Sequence, residues 1–142
     1  MPRPLIRIAI LCALLIGPSV AQAGDIRLNV KGIEKQEGTI RAALFKSESD
    51  YKSDDREAEE STPAKTGGVS LIFKNVPPGR YSISCFQDVN DNGKIDLSFI
   101  GIPKEPYGFS NNVMGKFGPP SFDQMAFEVS DSDREVDIEL RP

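Results

Sequence analysis

Along most of the chain apolar and polar residues alternate with a period of two, the pattern of strands with one buried face. The clearest run is Arg134 to Arg141, where Val136, Ile138 and Leu140 point one way and Glu135, Asp137 and Glu139 the other. The same period recurs at Ile26, Leu28 and Val30; at Ile40, Ala42 and Leu44; at Val69, Leu71 and Phe73; at Tyr81, Ile83 and Cys85; and at Met125, Phe127 and Val129. That predicts six strands. No stretch carries a convincing 3.6-residue apolar stripe, and the best helical segment, Asp54 to Glu60, is nearly all charged, so it predicts at most a solvated turn or two. The chain reads as all-β. Six strands, or seven if Leu97 to Ile102 also pairs, joined by Gly and Pro turns, predict an antiparallel two-sheet sandwich, with a small barrel as the competing architecture.

The Pro77-Pro78-Gly79-Arg80-Tyr81 run predicts a tight reversal, because Pro presets φ at the first central position and Gly accepts positive φ at the second. On that reading Val69 to Val76 and Arg80 to Asp88 are neighbours. Two segments fit no strand. Lys46 to Gly68 is rich in Ser, Asp, Glu and Lys, contains Pro63 and ends in Gly67-Gly68; it reads as an exposed, mobile connection. Leu97 to Ser121 carries Phe99, Ile100, Ile102, Tyr107, Phe109, Val113, Met114 and Phe117 among Pro and Gly. So apolar a loop is expected to pack down on the domain and to carry function.

Residues 1–23 change the totals. Arg3 and Arg7, the apolar run Ile8 to Ile16, the Gly17-Pro18 break and the small-residue site Ala21-Gln22-Ala23 read as a secretory signal cleaved after Ala23. Its apolar run is too short to span a bilayer, and the expected location is periplasmic or secreted. A single domain of 119 residues, 24–142, remains. Loss of Arg3 and Arg7 leaves 15 basic residues against 21 acidic, so the formal charge moves from −4 to −6. Taken as a whole, such a domain has no electrostatic footprint for nucleic acid or anionic lipid. Cys12 leaves with the signal, so Cys85 stands alone and no internal disulfide can form. The chain has no His, which removes imidazole triads and imidazole metal ligands and leans away from enzymology.

Asp88-Val89-Asn90-Asp91-Asn92-Gly93-Lys94-Ile95-Asp96 is the segment richest in chemistry. Side-chain oxygens fall at positions 1, 3, 5 and 9, Gly at 6 and an aliphatic residue at 8, as in the front of an EF-hand calcium loop. Calcium wants six to eight oxygens at about 2.3–2.6 Å, and a chain wrapping the ion offers alternate side chains inward. Asp88, Asn90, Asn92, the Lys94 carbonyl and Asp96 would be the ligands, with Ile95 tucked into the core. Position 12 is Phe99 where an EF-hand has a bidentate Glu, so completion falls to Glu105 or Asp123. With a net charge of −2 from two Asp and two Asn, the expected affinity is about 10⁻⁴–10⁻³ M and the expected role structural. The competing reading is a plain Asx-rich turn.

Cys85 alternates with Tyr81 and Ile83 and reads as a core thiol. Tyr107, Phe109 and Phe117 read either as a surface for a partner or ligand or as a plug for one end of the sandwich. Carboxylate pairs such as Asp88 with Asp96, or Glu105 with Asp123, raise a hydrolase reading that nothing else in the chain supports.

Several segments resemble, in order, the bacterial exported family catalogued as domain of unknown function 2141. They are Leu44-Phe45 with Tyr51; Phe73 to Tyr81; Asp88 to Asp96; Gly101 to Asn111, with its Gly-x-Pro-x-Glu-x-Tyr-Gly-Phe-Ser run; and Phe117 to Phe122. The resemblance spans essentially the whole mature chain and implies export and a β-sandwich. The Pro-Gly-Arg-Tyr turn is also similar to that of transthyretin-like and carboxypeptidase regulatory-like modules, so the sandwich expected is immunoglobulin-like or prealbumin-like. The resemblance implies no catalytic residue. The function expected is a non-enzymatic exported module whose calcium-type loop organises the 97–121 loop to bind an unknown protein or small molecule of the cell envelope. A carrier enclosing a small apolar ligand, with Phe99, Tyr107, Phe109 and Phe117 lining its cavity, is the alternative.

Overall fold

The computed structural model describes residues 17–18 and 22–142. The expected export signal, 1–23, lies outside these residues but for Gly17, Pro18, Gln22 and Ala23. All six expected strands form: β1 (Gly24–Lys31), β2 (Thr39–Phe45), β4 (Gly68–Val76), β5 (Gly79–Asp88), β7 (Phe127–Val129) and β8 (Arg134–Glu139). Two more, β3 (Ala58–Pro63) and β6 (Tyr107–Phe109), come from the segments expected to be irregular. Two short helices, α1 (Glu48–Ser53) and α2 (Phe122–Met125), complete the elements needed here.

The strands make the expected two-sheet sandwich. One sheet has the order β4-β1-β8; in the other β3, β2, β5 and β6 follow one another, and β7 also pairs with β5. Ile26, Leu28 and Val30 of β1, Leu71 and Phe73 of β4, and Val136 and Ile138 of β8 meet Ile40, Ala42, Leu44, Tyr81, Ile83, Cys85, Phe127 and Val129 in one core. The period of two in the sequence therefore marks the inward faces. A second, smaller cluster of Ala43, Phe45 and Phe122, with Tyr51 packed edge-on against Phe45 at 5.3 Å between centroids, lies apart from it.

Four expectations need correction. β1 pairs with β8 in parallel, so the sandwich is not wholly antiparallel. β4 and β5 are in different sheets, and the Pro77-Pro78 connection carries the chain across the sandwich. Two consecutive prolines supply no N–H for a hairpin ladder, and the Tyr81 hydroxyl instead donates to the Pro77 carbonyl at 2.8 Å. The positive φ of this turn is at Asn75 (55°), not at Gly79. Finally, Lys46 to Gly68 is ordered. Ser47 caps α1 by accepting the Asp50 N–H at 3.0 Å, and β3 pairs antiparallel with β2 from Thr39↔Pro63 to Leu44↔Ala58. β3 lacks the apolar alternation of the other strands because it is an edge strand with Glu59, Glu60 and Pro63 in place of an apolar face, which is how natural sheets protect an edge from further pairing.

The 97–121 segment divides. Phe109 is buried and Tyr107 half-buried, their rings edge-on at 5.8 Å, on β6 against β5. Ser110 follows with no exposure; its hydroxyl donates to the Met125 carbonyl at 2.6 Å and accepts the Ile83 N–H at 2.9 Å, tying this segment to β5 and α2. Phe99 and Phe117 are fully exposed. The expected packing thus holds for the middle of the segment and fails at its two tips. Leu97 to Ile102 forms no seventh strand and has only a single bridge, Leu97↔Pro103.

Candidate functional site

The loop Asp88 to Asp96 leaves the end of β5 and is fastened from three sides. Asp88 is completely buried. Arg41 of β2 donates its Nε–H to Asp88 Oδ2 at 2.7 Å, while the N–H groups of Gly93 and Asn92 donate to Oδ2 and Oδ1 at 2.8 and 3.1 Å. Burial pushes this carboxyl up, but the Arg41 hydrogen bond and the two N–H groups outweigh it and hold it below the ordinary Asp value. Gly38 permits the close approach of β2. Its φ is +69°, and a Cβ there would lie 1.9 Å from the Asp88 carbonyl oxygen. Thr39 Oγ1 donates to Asp91 Oδ1 at 2.6 Å, fixing the outer turn.

Within the loop, Asn90 Nδ2 and Asn92 Nδ2 donate to the two oxygens of Asp96 at 2.6 and 2.8 Å. The Asn92 Oδ1 accepts the Lys94 N–H at 3.1 Å, and Gly93 takes the left-handed conformation expected of position 6, at φ +83°. Asn90 and Asn92 therefore meet on Asp96 through their amide N–H groups rather than with oxygens converging on one point, while both Asp88 oxygens are taken by Arg41, Asn92 and Gly93. Lys94 is exposed, and Ile95 is half-buried without joining the core.

Glu105 also reaches the loop, from the backbone side. It is 5% exposed, and its two oxygens accept the N–H groups of Val89 and Asp96, each at 2.9 Å. Both its oxygens thus clasp the two ends of the loop, where the sequence suggested a cation ligand. Asp123 is not at the loop; its carboxylate meets Arg80 Nη1 at 2.7 Å. Among the described residues no three acids, His or Cys gather as a metal cage. The donor set fits calcium only in part: Asn90, Asn92 and Asp96 face one another, but the closing ligand is absent from their sequence run and Glu105 is engaged elsewhere.

Of the aromatic residues singled out, Tyr107 and Phe109 are together and Phe117 is apart in solvent. Phe99 is equally exposed, so the four rings do not enclose a cavity. Cys85 is fully buried, and burial pushes its thiol up, which leaves it inert as a nucleophile. Sequence reasoning missed Arg41 altogether. Its signal was a lone basic residue between Ile40 and Ala42 on a strand whose other polar residue is Thr39, which becomes informative only once the register Thr39↔Asp88 is known.

These features define an all-β sandwich with a self-braced Asx-Gly loop at the end of a central strand. The family model described as an uncharacterized protein conserved in bacteria, domain of unknown function 2141, matches residues 28–137, and the chain belongs to that family. Comparison with curated proteins and with solved structures yields no match.

Proposed function

We propose that this chain is an exported, non-enzymatic binding module. Its contact element is the hairpin Leu97 to Pro103, its brace is the Asp88 to Asp96 loop, and a weakly held calcium ion is the structural cofactor of that brace. The observation that carries the reading is the convergence of Asn90 and Asn92 on Asp96 at the foot of a hairpin whose apolar side chains are exposed. Calcium replaces the two amide-to-carboxylate hydrogen bonds with side-chain oxygens turned toward the ion. The absence of His from the chain, and the engagement of Asp88 and Glu105 by N–H donors, favour binding over catalysis.

Thermal melting with calcium against a chelator tests the ion. Free calcium at about ten times the dissociation constant adds about 1.4 kcal/mol, which for a domain of this size raises Tm by about 5 °C. Asp96→Asn abolishes that rise. A wild-type Tm indifferent to calcium removes the ion from the reading. Export is tested by intact mass of the protein recovered from the cell envelope: it begins at Gly24, and retention of residues 1–23 overturns that part.

A further inference from the structure

Helices cover only one end of the outward face of the five-stranded sheet. Phe45 of β2 packs there with Tyr51 of α1 and Phe122 of α2, while at the other end the Asx-Gly loop folds over the exit of β5. Between them lies an open cleft of about 310 Å³ whose lining includes Ala43, Ser84 and Gly93. Strand register sets out its floor. One row across β3, β2, β5 and β6 reads Ser61, Arg41, Phe86, Tyr107, and the next reads Glu59, Ala43, Ser84, Phe109. Ala43 and Ser84 are small, so the second row leaves a trough beside the first.

The charged groups of this cleft are held in place by one another. Arg41 gives its Nε–H to the buried Asp88 at 2.7 Å, yet its side chain is 35% exposed. Among the described residues its two Nη groups, and the hydroxyls of Ser61 and Ser84, have no hydrogen-bond partner. Arg56, on the wall, is fully engaged: Nε and Nη2 donate to Asp54 at 2.9 and 2.7 Å, and Nη1 meets Glu59. Two guanidinium groups thus face Asp88, Asp54 and Glu59, and Glu60 of the lining has no ion pair among the described residues. The sum is negative, which disfavours an anion. A cation would meet the outer edge of Arg41, and an apolar ligand would leave the free Nη groups and hydroxyls unpaired.

We propose that this cleft binds an uncharged oligosaccharide. The Arg41 fork donates to neighbouring ring hydroxyls, Ser61 and Ser84 exchange hydrogen bonds with others, and the half-buried Phe86 and Tyr107 rings take the C–H face of a sugar. Sugar hydroxyls both donate and accept, so they suit a lining where free donors stand beside paired carboxylates. Strands lie about 4.8 Å apart, close to the length of one pyranose unit, so the row from Ser61 to Tyr107 offers successive sugars a side chain each. The Asp88 to Asp96 loop acquires a purpose here. Through Asp88 it fixes the Arg41 guanidinium before the ligand arrives, which reduces the ordering penalty of binding. The site depends neither on the hairpin Leu97 to Pro103 nor on a bound ion.

Saturation-transfer and amide-shift magnetic resonance test this. Maltotriose, cellotriose, mannotriose and acetylated chitotriose are the neutral probes; trigalacturonate and a glucosamine trimer are the acidic and basic ones. The expected result is saturation transfer to at least one neutral trisaccharide, amide shifts at Arg41, Ser61, Ser84, Phe86 and Gly93, and an affinity indifferent to salt. Arg41→Lys keeps a cation for Asp88 but loses the fork, and weakens binding about tenfold. Phe86→Leu keeps an apolar side chain but loses the ring, and weakens it about fivefold. Ser61→Ala, at an exposed position where the fold is not at stake, weakens it about threefold. Transfer to none of the neutral probes overturns the proposal. So does a preference for either charged trimer, a set of shifts centred on Phe99 and Ile100, or full affinity in Arg41→Lys and Phe86→Leu variants that circular dichroism shows to be folded.

Discussion

Glu105 holds the two ends of the Asx-Gly loop by its own carboxylate, and its removal has a magnitude that follows from the geometry. Two hydrogen bonds to a charged acceptor, from Val89 and Asp96 at 2.9 Å each, are worth about 1.5–3 kcal/mol apiece when a partner is deleted. Residues 90–94 are exposed, so the freed N–H groups regain water when the loop opens. Glu105→Ala is therefore expected to cost about 2–4 kcal/mol, lowering Tm by about 10 °C. Glu105→Gln keeps one acceptor and loses roughly half as much. Urea unfolding by far-ultraviolet circular dichroism and tyrosine fluorescence measures this, with a lower midpoint at unchanged slope. Amide exchange accelerates at Val89 and Asp96 specifically. The penalty is the same in calcium and in chelator if Glu105 is a clasp, whereas a ligand role predicts that the variant loses calcium's stabilising shift. A loss below about 0.5 kcal/mol would refute the clasp.

Two further outcomes follow from buried polar groups. The Asp88 carboxyl is held below its ordinary value of 3.8, so its contribution is complete above the unfolded-state value and disappears as the pH falls through the folded one. Acid unfolding followed from about pH 5 downward is thus steeper in the wild type than in Asp88→Asn, whose stability is lower at neutral pH but less sensitive to acid; parallel curves would contradict this. The Ser82 hydroxyl is buried without a hydrogen-bond partner among the described residues, so Ser82→Ala is neutral or raises stability by up to about 1 kcal/mol in urea titration, and a clear loss would mean that the hydroxyl is satisfied after all.

Strands that bury one face were legible because the pleat writes its period into the sequence. Ile26, Leu28 and Val30, or Val136, Ile138 and Leu140, needed only alternation to be placed in the core. What alternation does not carry is partnership. The parallel match of β1 to β8 and the separation of β4 from β5 depend on which sheet each connection leads to, and Pro77-Pro78 fits a crossing as well as a reversal. β3 was hidden because an edge strand need not be apolar. Met125 continued the period into β7 but belongs to α2, where it is buried all the same. At the site, spacing singled out the loop that carries Asp88, Asn90, Asn92 and Asp96, but not that the two amides would turn their N–H groups to Asp96 or that Asp88 would be held by Arg41. Proximity brought Glu105 as expected, yet the use made of its oxygens is a tertiary fact: both point at backbone N–H groups that no spacing rule exposes. Arg41 was invisible for the same reason.

The parallel pairing of β1 with β8 also sets a clock. β1 is the middle strand of its sheet, and one of its two neighbours lies 108 residues further along, as the contact between Asp25 and Asp133 marks. Contacts so distant in sequence are slow to form, because the chain entropy of closing the loop is spent before they return anything. Until Arg134 to Glu139 arrive, one edge of β1 has no ladder and the core lacks Val136 and Ile138. A chain made from its amino end therefore stays open along β1 until its last strand is available, so the topology itself makes the final strand the one that closes the sandwich.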